Sequence, residues 1–201
     1  MTAPHLILPQ PLAEAIIAHA RAGEPEEVCG LVRGRAGRAI GVFPARNIAP
    51  NPITDYEVES KALLAQVEWE DAGDELIALY HSHPQDPAYP SASDAIQAYY
   101  PDSVYLICSL LDDARPDLKG FFLREIDAQL DPTALRRALP FYRTRPGRWG
   151  YYLPAGAALP PALAGLGPPP GLALYIVIQE DAEEPIQTRA VTVTPIELVI
   201  D

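Results

Sequence analysis

Residues 75–94 read ELIALYHSHPQDPAYPSASD, and the rest of the chain is best interpreted outward from them. The apolar run that ends in His81 and His83 predicts a β-strand, on which side chains two positions apart share a face. A proline-rich loop follows, and Ser91-x-x-Asp94 ahead of another apolar run predicts the start of a helix. Two imidazoles and one carboxylate leave a fourth ligand position open, which is typical of a catalytic zinc site.

A His-x-His pair alone is a weak signal, because several unrelated classes of metalloenzyme use it. The chain contains four histidines, His5, His19, His81 and His83, so none follows the pair. Cupins need a later histidine, and the amidohydrolase barrel needs more histidines and a longer chain. The metallo-β-lactamase pattern fails too, because Asp86 is one position late and no histidine follows it. The ligand count therefore argues against all three classes.

Glu27 is the other carboxylate that the sequence singles out. It follows Glu24 and Glu26 in an acidic turn, and such turns are usually solvated surface. Glu27 differs from its neighbours because it stands at the entrance to the short apolar run VCGLV, a predicted buried strand where a carboxylate can be held at a site. Glycines at 34 and 37 predict a hairpin between this strand and the next one, at 38–44.

Taken together, these residues resemble the JAMM (MPN-plus) zinc metalloprotease family, as a bacterial-type member with a C-terminal extension. The family pattern is an upstream glutamate, His-Ser/Thr-His-Pro, ten residues from the second histidine to the aspartate, and Ser-x-x-Asp. The chain matches it with Glu27 in Glu-Val-Cys-Gly-Leu, with His81-Ser-His83-Pro, and with Ser91-x-x-Asp94. The resemblance covers roughly residues 5–126.

The resemblance implies an α/β, α+β-like architecture, with a curved mixed β-sheet flanked by helices as in cytidine deaminases. It implies that His81, His83 and Asp94 bind Zn²⁺. Glu27 then moves a proton from water to the leaving amine, and Ser91 helps to stabilise the oxyanion, although Ser-x-x-Asp also caps helices. Family members hydrolyse peptide or isopeptide bonds, commonly at the C-terminus of ubiquitin-like proteins, and bacterial relatives process sulfur-carrier proteins of that fold.

We interpret the chain as a metalloprotease domain, residues 1–128, followed by a C-terminal extension, residues 129–201. The extension contains a Pro/Gly-rich loop and two terminal β-rich runs, which either form a small unit or rejoin the main sheet. Its stretch FYRTRPGRWGYY, at 141–152, has the arginine and aromatic content of a protein interface. An alternative function is therefore a non-catalytic or regulated MPN-type protein-binding module.

Apolar periodicity predicts the remaining elements. Helices are predicted at 10–22, at 60–72 with Ser60 as N-cap, at 93–100 and at 132–139. Further strands are predicted at 104–111, 118–126, 172–180 and 188–200.

Composition limits the partners that the protein can have. The chain has 201 residues, of which 48% are hydrophobic and 21% charged, as in globular proteins. Its net charge of −12 argues against nucleic acid and anionic membranes. The N-terminus lacks the pattern of a signal peptide and no run is long enough to span a membrane, so we expect a cytoplasmic protein. Cys29 and Cys108 lie in apolar runs and are expected to be buried free thiols.

Overall fold

A computed structural model describes residues 5–168, 171–180 and 185–201. The helices are α1 (Gln10–Gly23), α2 (Ser60–Leu63), α3 (Ala65–Asp71), α4 (Ala92–Ile96) and α5 (Pro132–Ala138). The strands are β1 (His5–Leu8), β2 (Cys29–Arg35), β3 (Arg38–Ala45), β4 (Glu75–His83), β5 (Val104–Ser109), β6 (Asp117–Glu125), β7 (Tyr142–Arg145), β8 (Arg148–Leu153), β9 (Ala173–Gln179) and β10 (Gln187–Ile200).

The described chain divides into two compact units. The first contains the residues up to Tyr89 together with Asp102–Phe122 and Pro195–Asp201. The second contains Pro90–Pro101 and the described part of Leu123–Thr194. The division into residues 1–128 and 129–201 remains a prediction.

In the first unit, the strands follow the order β1-β3-β2-β4-β5-β6. Strand β4 has the bounds that the sequence predicted, and it runs antiparallel to β2 and parallel to β5. Strand β1 pairs in parallel with β3 and with the last residues of β10. Parallel and antiparallel pairs in one helix-flanked sheet confirm the predicted mixed α/β fold.

The hairpin of β2 and β3 turns through Ala36 and Gly37, whose φ angles are 49° and 80°. Two successive positive φ angles give a turn whose twist matches that of the flanking strands. The predicted hairpin is therefore confirmed, and it places β2 between β3 and β4.

Helix α1 covers one face of this sheet. Its buried side chains belong to a core cluster with Ala78 and Tyr80 of β4 and with Leu106 and Cys108 of β5. Ile77 joins the same cluster at a register shift between β2 and β4, and beyond that shift the alternation of side chains places Leu79, His81 and His83 on the opposite face. The two histidines of β4 therefore do not face α1.

The predicted helix 60–72 is wrong as a single element, because it is divided at Leu64 into α2 and α3. Ser60 is the first residue of α2, and the N-cap position belongs to Glu59. Trp69 is buried on Phe43, with 4.8 Å between ring centroids, and this contact sets the buried face of α3. Leu64 and Val67 lie about 140–160° around a helix from Trp69 and are exposed.

The second unit contains an antiparallel arrangement in the order β10-β9-β8-β7. Strands β7 and β8 form a hairpin from the arginine- and aromatic-rich stretch, to which the sequence analysis assigned no strand. Leucines of α5 and of the 3-10 turn Pro161–Leu166 join β8 and β9 in a separate core cluster. Across the described residues, no helix is long and apolar enough to cross a membrane.

Candidate active site

The two histidines of β4 present their side chains to each other. His81 and His83 are buried, and their Nε2 atoms lie 3.1 Å apart. His81 pairs with Cys29 of β2 and with Ile107 of β5, so backbone hydrogen bonds on both sides hold this end of the strand. The alternation of the strand thus brings both ring nitrogens to one point, as predicted.

Two neighbours orient the imidazole rings. The Nδ1 atom of His83 lies 2.8 Å from the carbonyl oxygen of Pro87, so Nδ1–H donates and the Nε2 lone pair is directed toward His81. The His81 ring stacks on Tyr56, with centroids 4.1 Å apart and planes inclined by 16°. The sequence analysis missed Tyr56, which lies in the 46–59 loop and has no local pattern to mark it.

Ser91 and Asp94 form the capping box that the sequence predicted. The Oγ atom of Ser91 accepts hydrogen bonds from the backbone N–H groups of Ser93 and Asp94, at 3.1 and 3.2 Å. The backbone N–H of Ser91 donates to Oδ2 of Asp94 at 2.6 Å. Reciprocal bonds of this kind fix both the start of α4 and the orientation of its carboxylate.

The ligand atoms of His81, His83 and Asp94 all lie within 4.8 Å of one another, and all three residues are buried. Nitrogen ligands of a tetrahedral zinc ion lie about 2.0–2.1 Å from the metal, which separates two of them by roughly 3.3 Å. The 3.1 Å between the two Nε2 atoms is close to that value. Two imidazoles and one carboxylate also form a donor set that zinc accepts, so the residues fit the ion.

Glu27 lies outside this ligand group, two residues before the first residue of β2. The antiparallel register pairs Cys29 with His81 and continues through Val28, whose carbonyl accepts from Ser82 N at 3.0 Å. Glu27 itself precedes the strand, and its backbone N–H donates to Pro52 O. Its exposed fraction is 7%, so the solvated-turn interpretation does not describe it.

The charge of Glu27 also acts on the neighbouring thiol. Burial raises the pKa of Cys29 to about 12, with further contributions from the negative charges of Glu27 and Glu59. Cys29 and Cys108 are both free and buried, as the sequence predicted. A thiol with such a high pKa stays protonated at neutral pH and is a poor metal ligand or nucleophile.

Asn47 organises the loop next to Glu27, and the sequence analysis missed it. Its Nδ2 atom donates to the backbone carbonyls of Glu27 and Asp55, at 2.8 and 3.1 Å. Its Oδ1 atom accepts from the N–H groups of Ala49 and Glu57, both at 3.0 Å. Asn47 follows the end of β3 by two residues, and a polar amide at the start of an irregular loop is the signal that identifies such a residue.

Comparison with known proteins places the site within a described family domain. A match to the prokaryotic homologs of the JAB domain covers residues 9–123. A desampylase of Haloferax volcanii is 38% identical over 116 residues, which cover 54% of this chain and 84% of that protein. A CysO-cysteine peptidase of Mycobacterium tuberculosis is 34% identical over 119 residues, covering 58% of this chain and 81% of that protein.

A solved structure agrees with the fold. The solution structure of a protein from Desulfitobacterium hafniense superposes with a TM-score of 0.52 and 33% sequence identity. It covers 58% of this chain and 82% of that one. The family match ends at residue 123, so strands β7 to β10 lie beyond it.

Proposed function

The chain belongs to the JAB-domain family, among its prokaryotic homologs, and from this premise we propose a zinc-dependent hydrolase that cleaves peptide or isopeptide bonds at the C-terminus of a ubiquitin-like or sulfur-carrier protein. The observation that carries the proposal is the buried group of His81, His83 and Asp94, together with the buried carboxylate of Glu27 two residues before β2. A carboxylate beside an open three-ligand zinc site is the arrangement of a hydrolase.

The three ligand residues supply the zinc site in this proposal. Zinc, when bound, provides the Lewis acidity that activates a water molecule and polarises the scissile carbonyl. His83 is oriented for this task by its bond to Pro87 O, and Asp94 by its bond from Ser91 N. Burial of all three residues excludes bulk water, which strengthens the electrostatic interactions within the site.

Glu27 acts as the general base and then as the general acid. Its carboxylate accepts a proton from the attacking water and delivers it to the nitrogen that leaves when the peptide or isopeptide bond breaks. Backbone bonds hold Glu27 in place: its N–H donates to Pro52 O at 2.6 Å, and its carbonyl accepts from Asn47. These bonds fix the backbone from which the carboxylate extends.

Ser91 donates a hydrogen bond to the oxyanion in addition to capping α4. Its Oγ atom already accepts two backbone N–H bonds, so its hydroxyl hydrogen is the part of the group that remains to donate. A donor directed at the developing oxyanion stabilises the transition state, and removal of such a donor costs about 10²–10³ in kcat. The cap and the catalytic role are therefore compatible.

The substrate class is supported by the names of the relatives. One is a desampylase and another a CysO-cysteine peptidase, and both match the family domain of this chain. The net charge of −12 favours a protein partner over nucleic acid or an anionic membrane. We further propose a cytoplasmic location, and a division of the chain into a metalloprotease domain, 1–128, and an extension, 129–201.

The test uses a linear fusion in which a ubiquitin-like protein ending in Gly-Gly precedes a reporter domain. We expect about one zinc per chain by elemental analysis, and cleavage after the Gly-Gly tail that a chelator abolishes. Glu27→Gln should retain the zinc and lower kcat by about 10²–10⁴, since it removes the proton carrier alone.

Glu26→Gln is the matched control, because Glu26 is the exposed neighbour in the same turn. It should cleave like the wild type. A fully active Glu27→Gln, or a wild-type protein that binds no zinc, would refute the mechanism. Zinc-containing protein that binds the fusion without turnover would instead support a binding module.

A further inference from the structure

The segment that carries Ser91 and Asp94 belongs to the same compact unit as β7, β8, β9 and the first part of β10, up to Thr194. It consists of residues 90–98, and α4 supplies little of its stability because a helix of five residues is marginal by itself. Three residues of the C-terminal strands contact it with their side chains: Arg148 of β8, Tyr175 of β9 and Arg189 of β10. We call these the three support residues.

Arg148 and Tyr175 hold the start of the segment. The hydroxyl of Tyr175 donates to the carbonyl oxygen of Pro90 at 2.7 Å, one residue before Ser91. The guanidinium of Arg148 donates to Ser93 Oγ and to Gln179 Oε1, both at 2.7 Å. Arg148 has an exposed fraction of 2%, so its bonds form away from competing water.

Arg189 holds the end of the segment. Its guanidinium donates to the carbonyl oxygens of Ile96, at 2.5 Å, and Ala98, at 2.8 Å. These carbonyls lie at and beyond the C-terminus of α4, where backbone acceptors have no partner within the helix. Glu125 pairs with the same guanidinium at 2.9 Å and balances its buried charge.

The close packing of β8 against α4 is a further observation, beside the contacts of the three support residues. Strand β8 approaches α4 so closely at Gly150 that a Cβ there would lie 2.9 Å from the Cβ of Ala92 and 3.0 Å from the Tyr142 ring. Contacts below 3.0 Å require a neighbouring atom to move. The side of α4 that contains Ala92 is therefore in direct contact with the backbone of β8.

We propose that the three support residues are positioning residues for the hydrolytic reaction, because they fix the segment that presents Ser91 and Asp94. The proposal rests on the proposed function, since that function gives Ser91 and Asp94 their roles. It assigns to the C-terminal strands a part in the site, whereas the sequence suggested a protein interface at 141–152 and terminal strands that form a small unit or rejoin the main sheet. The support residues touch backbone and Ser93, so their effect on the reaction passes through the geometry of the segment.

The experiment compares Tyr175→Phe, Arg189→Met and Arg189→Lys in the full-length chain. Tyr175→Phe removes one hydroxyl and retains the ring that contacts Tyr152. We expect roughly a twofold to tenfold loss of kcat with KM unchanged, which corresponds to one hydrogen bond. Arg189→Met should lose about 10–100-fold, as outer partners of metal sites do, and Arg189→Lys should recover part of it.

Two readouts do not depend on turnover. Hydrogen exchange of the amides of residues 93–97 should become faster in Tyr175→Phe and Arg189→Met. The d–d absorption spectrum of the Co²⁺-substituted protein should also change, because the carboxylate of Asp94 is held less firmly. A change in exchange without cleavage of any fusion by the wild type would refute the proposed function and leave the support role intact.

Tyr151→Phe and Arg136→Met are the matched controls. Tyr151 lies on β8 and packs on Phe141, and Arg136 of α5 stacks on Trp149 and pairs with Glu180. Both substitutions alter the same unit without touching residues 90–98, so the Co²⁺ spectrum and the exchange of 93–97 should match the wild type. Support-residue variants that behave like these controls in exchange, spectrum and kcat overturn the proposal.

Discussion

The two parts of the candidate ligand group are held by different kinds of interaction. His81 and His83 lie on β4, whose backbone bonds to β2 on one side and to β5 on the other. Asp94 lies on a short segment that is bonded by the side chains of Arg148, Tyr175 and Arg189. The first arrangement depends on backbone groups that every residue except proline supplies, while the second depends on three particular side chains.

This difference affects how each part responds to substitution. A change of side chain in β2 or β5 leaves the backbone bonds of β4 in place, provided that the new side chain fits. Loss of Tyr175 or Arg189 removes the donors of buried carbonyl groups, at a cost of about 1–3 kcal/mol for each group. Loss of Arg148 removes the donor of Ser93 Oγ. We therefore expect β4 to keep its position when side chains in β2 or β5 are replaced. The position of the Ser91–Asp94 segment should instead depend on side chains that are distant in sequence.

The largest effect is expected from the histidine strand itself. His81→Ala removes a ligand, so zinc affinity should fall by more than the roughly 100-fold that loss of an outer partner costs, and cleavage should disappear. The thermal midpoint of the metal-free variant should remain close to that of the metal-free wild type, because the strand is held through its backbone.

His5→Ala is the control for that experiment, since His5 is an exposed residue of β1. Zinc content by elemental analysis and the thermal midpoint by circular dichroism are the measurements. An unchanged zinc content in His81→Ala contradicts the assignment of His81 as a ligand. A large fall in the thermal midpoint of the metal-free variant contradicts the expectation that backbone bonds hold β4 in place.

A smaller effect is expected where a side chain next to β4 does not fit. Gly30 of β2 pairs with Tyr80, and a Cβ at Gly30 would overlap the Tyr80 ring and hydroxyl. Gly30→Ala should lower the free energy of unfolding by about 1–3 kcal/mol, as overpacking does in a buried core. Urea unfolding measures this change.

Gly165→Ala provides the comparison for Gly30→Ala, because a Cβ there has nothing within 4 Å. It should leave the midpoint of unfolding almost unchanged. If Gly30→Ala changes the unfolding midpoint as little as Gly165→Ala does, the strands that pair with β4 can shift to accommodate a new Cβ. The difference between β4 and the segment held by the support residues is then smaller than the structure indicates.

The features that sequence predicted correctly are local. The bounds of β4, the hairpin of β2 and β3, and the capping box of Ser91 and Asp94 each follow from residues within a few positions of one another. The family pattern then joined Glu27 to them, although Glu27 lies more than fifty residues before His81. Glu27 comes two residues before β2, and the pairing of β2 with β4 is what brings these distant stretches of the chain onto neighbouring strands.

The features that sequence did not predict depend on pairing between distant residues. Arg189 is separated from Ile96 by 93 positions, and no periodicity indicates which arginine is buried. Tyr56 and Asn47 lie in an irregular loop, where the position of a side chain follows from tertiary contacts. The buried face of α3 has the same origin, since Trp69 contacts Phe43 of β3.

The smallest effect is expected at the start of β4, where Asp74 is a side-chain anchor of the histidine strand. Burial works to raise the pKa of Asp74, but hydrogen bonds from Arg33 and Arg35 of β2 outweigh it and the pKa is lowered from 3.8. The side chains of Arg33 and Arg35 are 31% and 60% exposed, so water screens these ion pairs in part. We therefore expect Asp74→Asn to destabilise the protein less than Gly30→Ala does.

The pH dependence of stability distinguishes the ion pairs of Asp74 from the backbone hydrogen bonds of β4. A carboxyl whose folded-state pKa is lowered contributes stability that is fully present well above pH 3.8 and is lost as the pH falls through the folded-state pKa. Asp74→Asn should thus be less stable than the wild type at neutral pH, and the difference should shrink below pH 3.8. Asp71→Asn, at the exposed end of α3, is the control. If the difference in urea midpoint between Asp74→Asn and the wild type stays constant with pH, the ion pairs are not its source. If Asp74→Asn also lowers the zinc affinity, β4 relies on side chains as well as on backbone bonds to hold its histidines.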